Sequence, residues 1–237
     1  MVDTLCLIPA KGCSTRLHRK NMLPLGGEPL ISRSIKKALE ARIFKHVCVS
    51  TEDLAIAELA KYQGAEVPFI RPEKLSHDPA TIVDVVLHAL NYYKEQGDFF
   101  EQVCVLLPTA PFVTVADIKN AMDVFNDRGD NALLSVTNTE FPPYNAWLIN
   151  KTESEDVLSP CFPDSSYRYT KSTECPSTYR SNGAILIVNS HAIQKNKGYQ
   201  SESIIPYIMP AARSLDIDTE LEYQFAVFLY EAGLHEQ

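Results

Sequence analysis

The sequence predicts an α/β fold built on a mostly parallel sheet with helices on both of its faces. Three observations carry this. Short apolar runs alternate with longer segments of helical spacing, the pattern of strand–helix units. A chain of 237 residues has room for one sizeable core plus an insertion, and not for a second full domain. Its 45% hydrophobic and 22% charged residues are ordinary for a globular protein.

The elements follow in order. Leu5–Ala10 reads as the first strand, Pro29–Arg42 as a helix, His46–Ser50 as a second strand and Leu54–Tyr62 as a helix. Ala65–Ile70 reads as a short third strand. Ser76-His77-Asp78-Pro79 signals a helix start, with Asp78 as cap and Pro79 in the first turn, running to about Glu95. Val103–Leu107 is an apolar strand stopped by Pro108, followed by a helix from Val115 to Asn126 and a strand at Ala132–Val136. From 139 to 180 the chain turns rich in Pro, Ser, Thr and Tyr and loses helical period; this excursion is read as a dimerisation or substrate-lid segment, or as a plain surface loop. Gly183–Asn189 and Arg213–Asp218 read as further strands, and Thr219–Gly233 as the closing helix. Residues 1–237 are thus expected to form a single domain with one excursion, with ligands at the carboxyl ends of the strands.

Charge and cysteine usage exclude several functions. A net charge of -8 disfavours nonspecific binding to nucleic acid or membrane. No apolar run approaches the roughly 18 residues that span a bilayer. The start of the chain lacks the basic region and cleavage site of a secretory leader. The six cysteines form no C-x-x-C pair, and Cys6, Cys48 and Cys104 lie in apolar runs; free core thiols in a cytoplasmic protein are expected.

Two segments carry chemistry. Ile8–Asn21 leaves the first strand, passes Gly12 and gathers Lys11, Arg16, Arg19 and Lys20 in a protein that is acidic overall. Backbone N–H groups and cations in such a loop suit a polyphosphate. Neither the P-loop pattern nor G-x-G-x-x-G is present. In Ser214–Glu220, an extended strand would set Asp216 and Asp218 on one face, with Leu215 and Ile217 toward the core. Paired carboxylates repel unless compensated, and magnesium bridging to phosphates is the natural cation. The plainer alternative makes Asp218 a helix cap. None of the six histidines is marked by its neighbours; His18, inside the basic loop, is read as tuning that loop.

Taken together these stretches resemble the acylneuraminate cytidylyltransferases, or CMP-sialic acid synthetases. The resemblance runs through Ile8–Asn21, Pro24–Leu30, Val49–Asp53, Arg71–Asp78, Leu107–Pro111, Asn182–Ile185 and Ser214–Glu222, in the family's order, over nearly the whole chain. It implies a Rossmann-like nucleotidyltransferase core, a homodimer, and magnesium-dependent transfer of CMP from CTP to an acidic sugar. By position, Lys11, Gly12, Ser14, Arg16, Lys20 and Asn21 correspond to CTP and phosphate contacts. Arg71, Asp78, Ala80 and Thr81 correspond to the cytosine and ribose pocket, and Asp216 and Asp218 to the metal ligands. Thr109, Arg180, Asn182 and Gly183 would lie near the sugar and the reacting phosphate. Lys171 would meet the sugar carboxylate from the neighbouring subunit.

Lys11 stands where the family usually has Arg, and Thr15 where it has Lys, so Arg16 is expected to compensate. Leu107 replaces a Gln, and Val113 an Arg, of members using ordinary sialic acid. These departures point to a modified nine-carbon sugar, such as pseudaminic or legionaminic acid. The rival readings are an enzyme for an eight-carbon acidic sugar, a noncatalytic nucleotide-binding protein and an unrelated oxidoreductase of Rossmann type.

Overall fold

The computed structural model describes residues 2–129, 131–152, 155–199 and 203–236. Backbone contacts divide the chain into two compact units, Met1–Val136 with Ser181–Gln237, and Thr137–Arg180.

The first unit starts with strand β1 (Thr4–Pro9), a small hairpin of β2 (Pro24–Leu25) and β3 (Glu28–Pro29), helix α1 (Leu30–Ala41), β4 (His46–Ser50) and α2 (Leu54–Tyr62). It continues with α3 (Ile82–Glu95), β5 (Gln102–Leu106), α4 (Val115–Arg128) and β6 (Ala132–Asn138), the last running into the second unit. The second unit holds an antiparallel hairpin, β7 (Trp147–Lys151) and β8 (Asp156–Pro160). The chain re-enters the first unit along β9 (Tyr179–Asn189), then forms α5 (Ser190–Asn196), β10 (Ile205–Ile208) and α6 (Glu220–Glu231).

The main sheet has the order β10-β6-β9-β5-β1-β4. β1 runs parallel to β4 and β5, and β10 parallel to β6, whereas β9 runs antiparallel to β5. The sheet is therefore mixed but mostly parallel. The apolar runs are near-continuous because both faces are covered, and their side chains split by parity. Cys6, Ile8, Cys104, Leu106, Ile185 and Ile187 pack on one face with Ile31 and Ile35 of α1 and Ile118 and Phe125 of α4. Leu5, Leu7, Val103, Val105, Leu186 and Val188 pack on the other with Val86 and Leu90 of α3 and Ile193 of α5. A third cluster joins Leu17, Leu25, Leu30, Phe112, Ile217 and Leu229, pinning the loop after β1 and α6 to the body. All six cysteines are free thiols, with Cys6, Cys48 and Cys104 buried.

Several expectations are corrected. Residues 65–70 make only a single parallel bridge, Cys48 to Glu66, and no strand. Asp78 does not cap a helix: α3 starts later, where Asp84 accepts from both the N–H (2.8 Å) and the hydroxyl (2.8 Å) of Thr81. This reciprocal capping box outcompetes the earlier signal. Residues 214–218 form no strand and join no sheet; the Ile217 N–H goes instead to the Thr109 carbonyl. α5 and β10 were not foreseen; β10 contains Pro206, which an edge strand tolerates.

Candidate active site

α1 lies on one face of the sheet and α3 on the other, so the chain reverses its winding at β1. Loops leaving β1 and β5 at such a point diverge and open a crevice. Here that crevice is a cleft of about 340 Å³, lined by Pro9 at the end of β1 and Lys11 beyond it, and by Leu107, Pro108 and Thr109 after β5.

Asp216 and Asp218 form one wall. With no strand to hold them, two other bonds fix their placement. The N–H of Ile217 donates to the Thr109 carbonyl at 2.8 Å, and the N–H of Asp218 to Oε2 of Glu222 at 2.8 Å. Ile217 is fully buried between them, so the alternation expected of a strand survives without the ladder. Thr219, not Asp218, caps α6.

The two carboxylates differ. Asp218 is held by Lys20 Nζ at 2.6 Å and by the guanidinium of the exposed Arg16 at 2.8 Å. Burial raises its pKa, but the two cations outweigh that and leave it below the ordinary aspartate value. Asp216 is pushed above that value, chiefly by burial, with the Asp218 charge adding to it and the Thr109 hydroxyl opposing. Its Oδ1 is buried with no hydrogen-bond partner. Gly183 makes room for it: φ is +67° there, and a Cβ would lie 2.8 Å from Asp216 Oδ2.

The loop after β1 forms an adjoining wall, tied to the first where Lys20 meets Asp218. Asn21 is buried and donates to the Lys11 carbonyl at 2.8 Å, closing the loop on itself. Ser14 lines the cleft with its hydroxyl oxygen buried and unpartnered. The floor is the start of α3, where Asp78, Ala80 and Thr81 line the cleft beside Ile82. A helix N-terminus presents free N–H groups and the positive end of the helix dipole.

The cleft thus brings together Lys11, Ser14, Lys20, Asn21, Arg71, Asp78, Ala80, Thr81, Thr109, Asp216 and Asp218. Gly12 and Arg16 are not among its lining residues; the first lies beside Asp53 and the second pairs with Asp218. The side chain of Asn182 does not reach it. That residue is fully buried, accepts from Ser135 at 2.6 Å and donates to Ser214 at 2.9 Å. It ties β6, through Ser135, to Ser214 at the start of the 214–218 segment. Leu107 lines the cleft, whereas Val113 is buried in the core. Lys171 and Arg180 belong to the second unit, where both are exposed.

Residue-type reasoning missed Glu52, which accepts from Gly12, Cys13, Arg71 and Ser76. Its signals were its place just after the second strand and within the Val49–Asp53 stretch of the resemblance, neither of which gave it a role.

A family model described as Cytidylyltransferase matches residues 5–235. A pseudaminic acid cytidylyltransferase of Campylobacter jejuni is 34% identical over 233 residues, covering 98% of each chain. A CMP-N,N'-diacetyllegionaminic acid synthase of Legionella pneumophila is 30% identical, covering 96% of each. Among solved structures, a CMP:2-keto-3-deoxy-manno-octonic acid synthetase complexed with CTP superposes with a TM-score of 0.70 at 15% identity, covering 98% of this chain and 99% of that one. That likeness shows the nucleotidyltransferase fold. The match over almost its whole length places this chain in the cytidylyltransferase family, and it is a nucleotidyltransferase enzyme.

Proposed function

We propose that the chain transfers CMP from CTP to the anomeric hydroxyl of a nine-carbon 2-keto acid sugar, releasing pyrophosphate. Pseudaminic acid is the first candidate, since the 34% identical relative is named for it. The observation that carries the reading is a cationic loop lining the same cleft as Asp216, whose Oδ1 is buried without a hydrogen-bond partner. The apolar Leu107 on the cleft wall fits a sugar whose polar groups differ from those of ordinary sialic acid.

A hard divalent cation such as magnesium suits the carboxylate wall, where Asp216 Oδ1 lacks any partner and the two ligating side chains offer carboxylate oxygens. Among the described residues no group of three or more His, Cys, Asp and Glu side chains could hold a metal unaided, so phosphate oxygens would complete the ligand set. Held by Asp216 and Asp218, the ion would neutralise phosphate charge and acidify the attacking hydroxyl. The chain's own residues supply the rest. Lys11 and Lys20 balance the triphosphate, and Asn21 keeps the loop closed around it. Arg71, Asp78, Ala80 and Thr81 bound the nucleoside end, with the α3 N-terminus aimed into the cleft. Thr109 and Gly183 shape the sugar side. Lys171 and Arg180 keep their assignment to the sugar carboxylate and reacting phosphate from the sequence resemblance.

A homodimer formed through the second unit is part of this reading. Trp147, Leu148, Ile149, Leu158 and Tyr169 are all more than half exposed there, an apolar surface suited to a partner. A cytoplasmic location is proposed with it; among the described residues no helix is long and apolar enough to cross a membrane.

The test is pyrophosphate release from each of four nucleoside triphosphates, with and without a panel of acidic sugars. Release with CTP and a nine-carbon acid is expected. Release only with an eight-carbon acid would move the substrate to the rival class, and CTP binding without release would remove the enzyme reading.

A further inference from the structure

Glu52 follows β4 and meets four hydrogen-bond donors from three segments. Its Oε1 accepts from the N–H of Gly12 at 2.7 Å and, at a longer 3.4 Å, from that of Cys13. Its Oε2 accepts from the Arg71 guanidinium at 2.8 Å and the Ser76 hydroxyl at 2.8 Å. Arg71 also donates to Ser76 Oγ at 3.0 Å and is only 3% exposed. The neighbouring Asp53 reinforces the grip. It caps α2, pairs with Arg19 at 3.6 Å, and presses so closely on Gly12 that an added Cβ would sit 2.5 Å from its Oδ2.

The N–H groups of Gly12 and Cys13 are among those that a polyphosphate loop would offer its ligand. In this protein they are already bonded to a carboxylate. That anion is not free to leave: Arg71 is buried, and moving Glu52 away would strand its charge. The triphosphate must then use other groups of the loop, namely Lys11, Ser14 and Lys20, whose positions depend on the anchored turn. Glu52 also joins that turn to Arg71 and Ser76, which bound the cleft on its nucleoside side.

We propose that Glu52 is a positioning residue, a clamp that fixes the phosphate loop and couples it to the Arg71–Ser76 wall without touching the nucleotide. The proposal rests on reading the cleft as a CTP site. It differs from a resident-anion role, in which Glu52 would hold the cradle only until phosphate displaced it.

The experiment compares wild type, Glu52→Gln and Gly12→Ala by calorimetric affinity for CTP and, by competition, for cytidine. All four partners of Glu52 donate, and an amide keeps one acceptor oxygen while adding two donors, so Glu52→Gln must release one side of the clamp. CTP binding is expected to weaken on the order of 10- to 30-fold while cytidine affinity changes by less than about 2-fold. Equal losses for both ligands would mean general damage to the wall and overturn the clamp. Unchanged or tighter CTP binding would overturn it in favour of a displaceable anion. If Glu52→Gln does not unfold cooperatively, Gly12→Ala decides the matter, because it pushes the loop off Asp53 while leaving Glu52, Arg71 and Ser76 in place; it must show the same phosphate-selective loss. Absence of CTP binding by the wild type would overturn the site reading itself, whereas normal wild-type binding with unaltered variants would overturn the clamp alone.

Discussion

Two sides of one cleft solve opposite electrostatic problems. Around Glu52 one carboxylate oxygen accepts from the loop and the other from the Arg71–Ser76 side, and burial is outweighed by those bonds. Around Asp216 burial dominates, one oxygen has no partner, and the pKa rises. A protein that completes the bonding of a buried charge uses it as structure; one that leaves it incomplete holds a binding site at a cost in stability. Residues on the first side should therefore govern shape, and those on the second should govern chemistry.

The largest expected effect tests the incomplete side. Asp216→Ala and Asp218→Ala should each lower pyrophosphate release by about 10²-fold or more while the fold survives. Asp216→Asn sharpens the contrast. A carboxyl whose folded pKa lies above its unfolded value is destabilising once ionised, so removing its charge should raise the Tm of the metal-free protein at neutral pH. Magnesium with CTP should stabilise the wild type more than this variant. A lower Tm for Asp216→Asn would make Asp216 a structural carboxylate like Glu52, and the contrast would collapse.

Lys20 stands between the two behaviours, since it pairs with Asp218 yet lines the cleft. Lys20→Met should cost about 10²-fold in kcat/KM for CTP. It also removes the strongest bond holding Asp218 down, so the acid limb of the pH profile should move upward. In the wild type, falling pH should protonate Asp216 first, above the ordinary aspartate value of 3.8, while Asp218 remains ionised. A kcat/KM profile flat down to that value would remove the burial argument for Asp216.

The same contrast explains what was legible in the sequence. Strands β1, β4 and β5 were readable because continuous apolar runs mark elements buried on both faces. The cationic loop and the two aspartates were readable because chemistry needs those residue types close together. The supposed strand at 213–218 was not one, because alternation of Asp216, Ile217 and Asp218 is satisfied as well by one buried isoleucine tied to the Thr109 carbonyl. The helix start at Asp78 failed because Thr81 and Asp84 form a better cap three residues on. Glu52 as a loop anchor and the bracing bonds of Asn182 escaped for a further reason: those bonds reach partners 19 to 47 positions away, and no local pattern records them. The active side of the cleft is written in composition, and its supporting side in topology.

The smallest expected effect tests whether that supporting side is electrostatic. Burial raises the Glu52 pKa, but the Ser76 and Arg71 bonds and the backbone N–H groups outweigh it and hold it at about 2, against 4.5 when unperturbed. A carboxylate depressed in the folded state stabilises it above the unfolded pKa and loses that contribution as pH falls through the folded one. Between pH 7 and about pH 3 the wild type should therefore lose roughly 1–2 kcal/mol more than Glu52→Gln in urea unfolding, after discounting for partial solvent screening. The other carboxylates titrate in both proteins and cancel in the difference. A gap that persists unchanged at pH 3 would mean that Glu52 holds the loop by shape alone, and the two walls would differ in packing and not in charge.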